Sequence, residues 1–372
     1  MSQLKVNTIR HTGASSDAVT LASDGTCTAK ITNNLSNRNL IINGAMQVAQ
    51  RGTSDTSADY FSTVDRWNYT ANMTEENLTR EQESLSSSDS GPYEKGFRKA
   101  WKITNGNQTG GADAGGYVIP QYHIEAQDIA NSGWHYKSAS SYITLSFWVK
   151  SSVAQTFYGF FRTIDGTGQA WSFNYALSAN TWTKVTKKIP GNSNIDVNND
   201  TGSGLALYLP TFMGTDRTNS GNVEETWAAY SGSNRTKPST TTWYTTNDAT
   251  WHLTGVQLEV GDVATDFEHR SYGEELERCK RYYQAAEGTY KWAWDGLYAN
   301  GTGAGLSIYY TLSPEMRAAA TVTHNVDDKN NVSSSTIQTS TDSVRVGCTC
   351  SSSGRTAMTR SGSGYIRLDA EI

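Results

Sequence analysis

The feature that most constrains this chain is a change of hydrophobic period near residue 262. Val256, Leu258 and Val260 alternate with Gln257 and Glu259, the period-2 pattern of a half-buried strand, and Gly261 stops the run. From Tyr272 the apolar positions move to Leu276, Cys279 and Tyr282 or Tyr283. They lie three to four apart on one helix face, with Glu274, Glu275, Glu277, Lys280 and Arg281 on the other. A strand that passes through a tight turn into a short amphipathic helix marks the end of one β-domain and the start of another. Two heptads are too few for a dedicated coiled-coil seam. The helix, expected over 271–286, is therefore assigned to packing under the sandwich, with a place on the axis of an oligomer as the alternative.

The remainder of the chain is poor in helix signals. Charged residues make up 18% of its 372 residues, and 20 tyrosines, 11 tryptophans and 33 glycines lie among abundant Ser, Thr and Asn, a composition that favours short strands and many turns. Strand-like runs at 40–48, 65–70, 98–104, 117–123, 141–150, 155–163, 170–177, 183–189, 205–213 and 251–260 predict an all-β jelly-roll sandwich over 37–270. One short helix is expected near 124–130. Loops at 82–91, 191–202 and 214–239 belong on its rim. Further runs predict a smaller C-terminal β-domain over 287–372, closed by the alternating segment Tyr365–Ile372. Residues 1–36 offer only two or three short strands around Leu4, Val6, Ile9, Val19 and Leu21. So few strands cannot bury enough surface to fold alone, so this segment is expected to gain order by pairing with another protein or another copy of the chain; a frayed tail is the plain alternative.

Several stretches resemble a module of bacteriophage tail-fibre and related virion proteins, particularly those of cyanophages. They are Arg38-Asn39-Leu40-Ile41-Ile42-Asn43-Gly44-Ala45-Met46 with Gln50-Arg51-Gly52, the triplet Asp65-Arg66-Trp67, Ser146-Phe147-Trp148-Val149-Lys150-Ser151, Gly255-Val256-Gln257-Leu258-Glu259-Val260-Gly261, and Glu274-Glu275-Leu276 leading to Cys279 and Arg281-Tyr282-Tyr283-Gln284. The opening thirty residues are similar to the N-terminal segments of cyanophage structural proteins. The resemblance implies a carbohydrate-binding-module-like jelly roll in a virion structural protein, most simply a homotrimeric tail fibre made in the host cytoplasm. Residues 1–36 would hold it to other virion proteins, and the sandwich would engage a host-surface glycan such as lipopolysaccharide. A head-surface fibre or decoration protein, a structural adaptor and a glycan-degrading tailspike are the alternatives.

Elementary chemistry narrows the rest. A net charge of −5 supplies no basic field for nucleic acid. No window of about 18 apolar residues suggests a membrane span, and the N-terminus lacks a signal-peptide layout. The four cysteines, Cys27, Cys279, Cys348 and Cys350, have no metal-site spacing and are expected to be free thiols. Six isolated histidines and no nucleophile motif argue against an enzyme, and the carboxylate pairs Glu81/Glu83 and Glu224/Glu225 read as solvated loop charge. The Asp196–Asp200 run lacks the glycine and terminal glutamate of a calcium loop, so neither metal nor cofactor is expected. Among the tryptophans, Trp67, Trp148 and Trp171 sit in strand patterns and are assigned to the core. Trp227, Tyr230, Trp243 and Tyr244 flank the long polar loop and are the candidate sugar-stacking residues. Their alternative role is to pin that loop to the sandwich.

Overall fold

The computed structural model describes residues 6–15, 17–23, 25, 27–29, 37–57, 61–72, 75–108, 110–287, 294–326, 328–359 and 365–372. It is nearly all β. An N-terminal antiparallel ribbon consists of β1 (Thr8–Ile9), β2 (Val19–Leu21) and β3 (Cys27–Ala29). Val6, Ile9 and Leu21 are exposed and Val19 is half-buried, as two-residue and three-residue strands with no sheet to pack on must be. Leu4 lies outside the described residues.

The sandwich follows as β4 (Ser54–Asp55), β5 (Asn68–Asn72), β6 (Thr79–Ser84), β7 (Lys99–Thr104), β8 (Tyr117–Glu125), β9 (Tyr142–Ser151), β10 (Gln155–Thr163), β11 (Gln169–Leu177), β12 (Thr183–Pro190), β13 (Ser203–Tyr208), β14 (Phe212–Met213), β15 (Trp227–Ala229) and β16 (Thr250–Val260). One sheet runs β12-β9-β16-β7-β6-β4. The other runs β5-β8-β13-β10-β11-β15, with β14 continuing β13 along β8 beyond Pro210. All the ladders are antiparallel, and the chain crosses repeatedly between sheets, as in a jelly roll. Between the sheets lies one apolar core: Ile143, Leu145, Phe147 and Val149 from β9 face Phe157 and Phe161 from β10 and Trp171, Phe173 and Tyr175 from β11. Helix α1 (Ala126–Ala130) and the single turn α2 (Thr242–Thr245) close its ends.

Three expectations fail for identifiable reasons. Residues 40–48 are buried but not a strand. Asn43 and Met46 adopt positive φ, and the Asn43 side chain binds the backbone of Val48 and Asp65 to hold a compact turn. The loop expected over 82–91 begins only after residue 84, because Thr79–Ser84, although it lacks apolar residues, lies between β7 and the edge strand β4 and makes its ladder bonds there. The linking helix, α3, spans only Tyr272–Lys280; Ser271 caps its N-terminus. Tyr283–Glu287 is already strand β17, paired with β25 (Tyr365–Asp369). Glu275, placed on the solvent face by helical periodicity, is buried: it accepts from the Asn43 backbone N–H and sits 3.5 Å from Arg270.

The C-terminal domain holds three small antiparallel sheets. Its strands are β17, β18 (Trp294–Ala299), β19 (Gly305–Thr311), β20 (Thr321–Asn325), β21 (Asp328–Asn330), β22 (Val332–Thr339), β23 (Ser343–Cys350), β24 (Gly354–Thr359) and β25. They enclose a separate core of Val344, Val346, Met316, Met358, Ile366 and Leu368. Cys279, Cys348 and Cys350 are free and buried, and burial pushes the Cys348 thiol up to about 11.

Candidate functional site

The motifs most legible in the sequence meet at the joint between the two domains. Asn39 bonds the backbone of Val256 and Leu258, and Arg270 donates to the carbonyls of Asn39 and Ile41. Trp67 Nε1 donates to the Asn43 carbonyl. Arg66, 1% exposed, pairs with Glu371, donates to the His123 carbonyl at 2.7 Å, and stacks 3.4 Å from the centre of the Tyr282 ring. Arg51 lies 3.7 Å above the Tyr283 ring and 3.0 Å from Asp369. Arg281 forks onto Glu125, and Arg317 ties the Thr201, Ala370 and Glu371 carbonyls together. Burial pushes the Asp65 carboxyl up to about 6 although Arg51 and Gln50 favour its charge. Arg51, Asp65, Arg66 and Arg317 are consumed by architecture, whereas Asn39 also borders an open concavity of about 470 Å³, lined mainly by polar residues, with Arg38, Ile42, Asp128 and Arg278.

A concavity lined by aromatic rings lies on the outer face of the first sheet. The alternation that turns Phe147 and Val149 inward turns Ser146, Trp148 and Lys150 outward, so Trp148 is not a core residue as its strand pattern suggested. It is half-buried and lines a cleft of about 350 Å³ with Phe97, Phe267, His269, Glu94, Lys95, Lys184, Ser146, Thr265 and Asp266. Two glycines shape it. Gly255 takes φ +62° at an irregularity in the β16 ladder, and a Cβ there would stand 2.6 Å from the Phe97 ring. Gly91, at φ +98°, lets the chain run across the Trp148 indole, where a Cβ would stand 2.8 Å from it. Phe97 meets Phe267 edge-on at 4.8 Å, and His269 Nε2 bonds the Lys95 carbonyl.

Behind Trp148 a polar row stiffens the wall. Asp89 accepts from Trp182 Nε1 at 3.0 Å and from Lys150 at 3.0 Å. Burial would raise its carboxyl, but Trp182, the Ser86 N–H and Lys150 outweigh burial and bring it down to about 2. Next to it, His252 bonds Glu83 (2.8 Å) and Thr250 Oγ1 (3.0 Å), the order of a relay. The Thr250 N–H is taken by Ser152 Oγ and the Ser152 N–H by the Thr250 carbonyl, so neither is directed at a substrate oxyanion. The row reads as a clamp across β6 and β16.

The proposed stacking residues are mostly elsewhere. Trp243 and Tyr244 are buried, because α2 plugs the sandwich end: Asn105 holds its carbonyls and Tyr244 stacks on Phe212 at 4.4 Å. Neither can present a ring face to a sugar. Trp227 is 9% exposed, with Nε1 bound to the Pro190 carbonyl, and lines an open concavity of about 450 Å³ with Gln169, Asn194 and Asp196. Trp243 and Tyr244 serve the packing role. Tyr230 is half-buried on the outer face of the second sheet, under the Arg162 guanidinium at 3.8 Å. The carboxylate pairs do not face one another across a cleft. Glu81 bonds Lys102, Glu224 bonds Lys237 and Asn174, and Glu225 bonds Lys187. Asp196 is paired with Lys137, and among the described residues no cluster of three His, Cys, Asp or Glu side chains could hold a metal. Period-2 alternation was the signal that could have placed Trp148 outside.

No family model matches the sequence, and no curated protein is significantly similar to it. Solved structures with a similar fold include an enzymatically active domain of a tailspike protein of bacteriophage CBA120 (12% identity, TM-score 0.31, covering 60% of this chain and 21% of that one). A CBM4 structure gives 10% identity, TM-score 0.30, and 59% and 98% coverage. A family 11 carbohydrate-binding module from Clostridium thermocellum, in complex with a mixed-linked tetrasaccharide, gives 12%, 0.26, and 59% and 99%. The chain thus spans about a fifth of the tailspike domain's length. Scores this low transfer neither ligand nor activity.

Proposed function

We propose that this chain is a non-enzymatic bacteriophage virion protein, a tail fibre, whose sandwich attaches the particle to a host-surface glycan through the Trp148 cleft. The observation that carries the glycan reading is chemical: the half-buried rings of Trp148 and Phe267, set over the buried Phe97, converge with ammonium and carboxylate groups (Lys184, Glu94, Asp266) in one preformed concavity. Rings can stack on the apolar face of a sugar while the polar groups bond its hydroxyls, and a cleft of this size falls within the ~300–1,000 Å³ typical of small-ligand sites. The tail position, the trimer and lipopolysaccharide as receptor rest on the resemblance of the sequence motifs. The exposed apolar side chains of β1 and β2 fit an anchoring segment that awaits a partner. Individually weak sites on an oligomer would gain avidity through effective concentration.

Binding of the purified protein to host cells should fall about 30-fold in Trp148→Ala, the loss of a ~2 kcal/mol aromatic anchor. Lys184→Ala should weaken it too without touching the fold, since Lys184 is exposed. Unchanged binding by both folded variants would reject the cleft. Host polysaccharide incubated with the protein should release no new reducing ends; their appearance would reject the non-enzymatic reading.

A further inference from the structure

The outer face of the second sheet carries a second aromatic patch that the attachment reading does not use. Ile119, Phe160 and Met213 are buried there beneath Tyr117, Tyr208 and Tyr230, with Tyr208 stacked on Phe160 at 4.5 Å. Three half-buried arginines lie on these rings. Arg162 sits 3.8 Å and Arg235 5.8 Å from the centre of the Tyr230 ring, and Arg217 sits 4.2 Å from that of Tyr117. The Arg235 N–H donates to the Arg217 carbonyl, so the last two are neighbours, and Arg162 donates to the neutral Tyr208 hydroxyl.

Seven described arginines have a buried Nε without a hydrogen-bond partner. Four of them reach a carboxylate through another nitrogen: Arg66 to Glu371, Arg80 to Asp55, Arg270 to Glu268 and Glu275, and Arg278 to Glu274. The other three are Arg162, Arg217 and Arg235. Among the described residues none of them has a carboxylate within salt-bridge distance, and all three share one face. Acids are not scarce, with 36 Asp and Glu against 31 Lys and Arg. Three guanidiniums held by ring stacking, partly desolvated and left without counter-charge, form a preorganised fork array for an oxyanion.

We propose that this face is a separate binding site for an acidic saccharide, one bearing carboxylate, sulfate or phosphate groups, with Arg162, Arg217 and Arg235 as the oxyanion ligands and the tyrosines as the sugar-facing floor. The site is independent of the Trp148 cleft on the opposite side of the sandwich.

The test is calorimetry of the full chain against dextran sulfate, polygalacturonate, neutral dextran and inorganic phosphate. The acidic polymers should bind and neutral dextran should not. Each Arg→Gln change should weaken binding about tenfold or more, as expected for losing one charge-assisted hydrogen bond, and should flatten its salt dependence. Arg→Lys, which keeps charge but not the fork or the stacking, should recover only part. Trp148→Ala should leave this binding intact, so failure of either site is distinguishable from failure of the other. Arg235→Gln, in a loop, guards against loss of the fold. Equal binding of dextran and dextran sulfate, undiminished binding by the triple Gln variant, or binding of free phosphate but of neither polymer would overturn the proposal.

Discussion

Removing the carboxylate of Glu371 should destabilise the protein far more than its place one residue from the chain end suggests. Its side chain is 3% exposed and faces the Arg66 guanidinium, 1% exposed. Burial works against the Arg66 charge; Glu371 and the Tyr122 and Tyr282 rings more than offset it, so its pKa stands above the ordinary arginine value. In Glu371→Ala that guanidinium stays buried with the His123 carbonyl, the Tyr122 hydroxyl and two ring faces as its partners. Breaking a buried pair from one side costs about 3–5 kcal/mol. The remaining contacts, and the Asp369 carboxylate that Arg51 keeps at 3.0 Å, place the expectation at the lower end, about 3 kcal/mol. At ~2–4 °C per kcal/mol this lowers Tm by roughly 6–12 °C. Thermal and urea unfolding followed by near-ultraviolet circular dichroism measure it. Arg66→Met combined with Glu371→Leu should recover most of the loss, since no charge is then stranded. A single-variant loss under ~1 kcal/mol, within the range of a surface pair, or a double variant as unstable as the single, would refute the reasoning.

Gly255→Ala should cost ~1–2 kcal/mol for a left-handed alanine and a further ~1–3 kcal/mol for the collision with Phe97, lowering both Tm and cell binding; an unchanged Tm would show that the β16 irregularity is not needed. The Asp89 carboxyl lies below its unfolded value, so it stabilises the fold above about pH 4 and this contribution is lost as pH falls towards 2. Tryptophan fluorescence should therefore change over that range in the wild type and not in Asp89→Asn, and identical titrations would remove Asp89 from the cleft wall. Deleting residues 1–36 should release the protein from assembled particles while leaving Tm unchanged, and retention on the particle would refute the anchor.

Alternation made much of the sandwich legible. The β9 pattern alone turns Ile143, Leu145, Phe147 and Val149 inward, and the switch of period after Val260 marks α3. Where polar residues are buried, pattern fails. Thr79–Ser84 carries no apolar residue yet is a ladder strand, and Glu275 is buried because Asn43 and Arg270, far away in the sequence, give it partners. The candidate sites were harder still. Proximity to a polar loop made Trp243 and Tyr244 look exposed, whereas a single helical turn stoppers the core with them. Trp148 looked like core because its strand is apolar, and only the phase of the pleat shows that it points out. The Arg162, Arg217 and Arg235 array joins a strand, a 3-10 turn and a loop and has no signature along the chain.

The attachment account is tested most directly by an electron-microscopy map of the protein bound to host polysaccharide. The account predicts sugar density stacked on Trp148 and Phe267, within reach of Lys184 and Asp266, with the chain of sugars uncut. An empty Trp148 cleft beside bound or cleaved glycan elsewhere on the chain would contradict it.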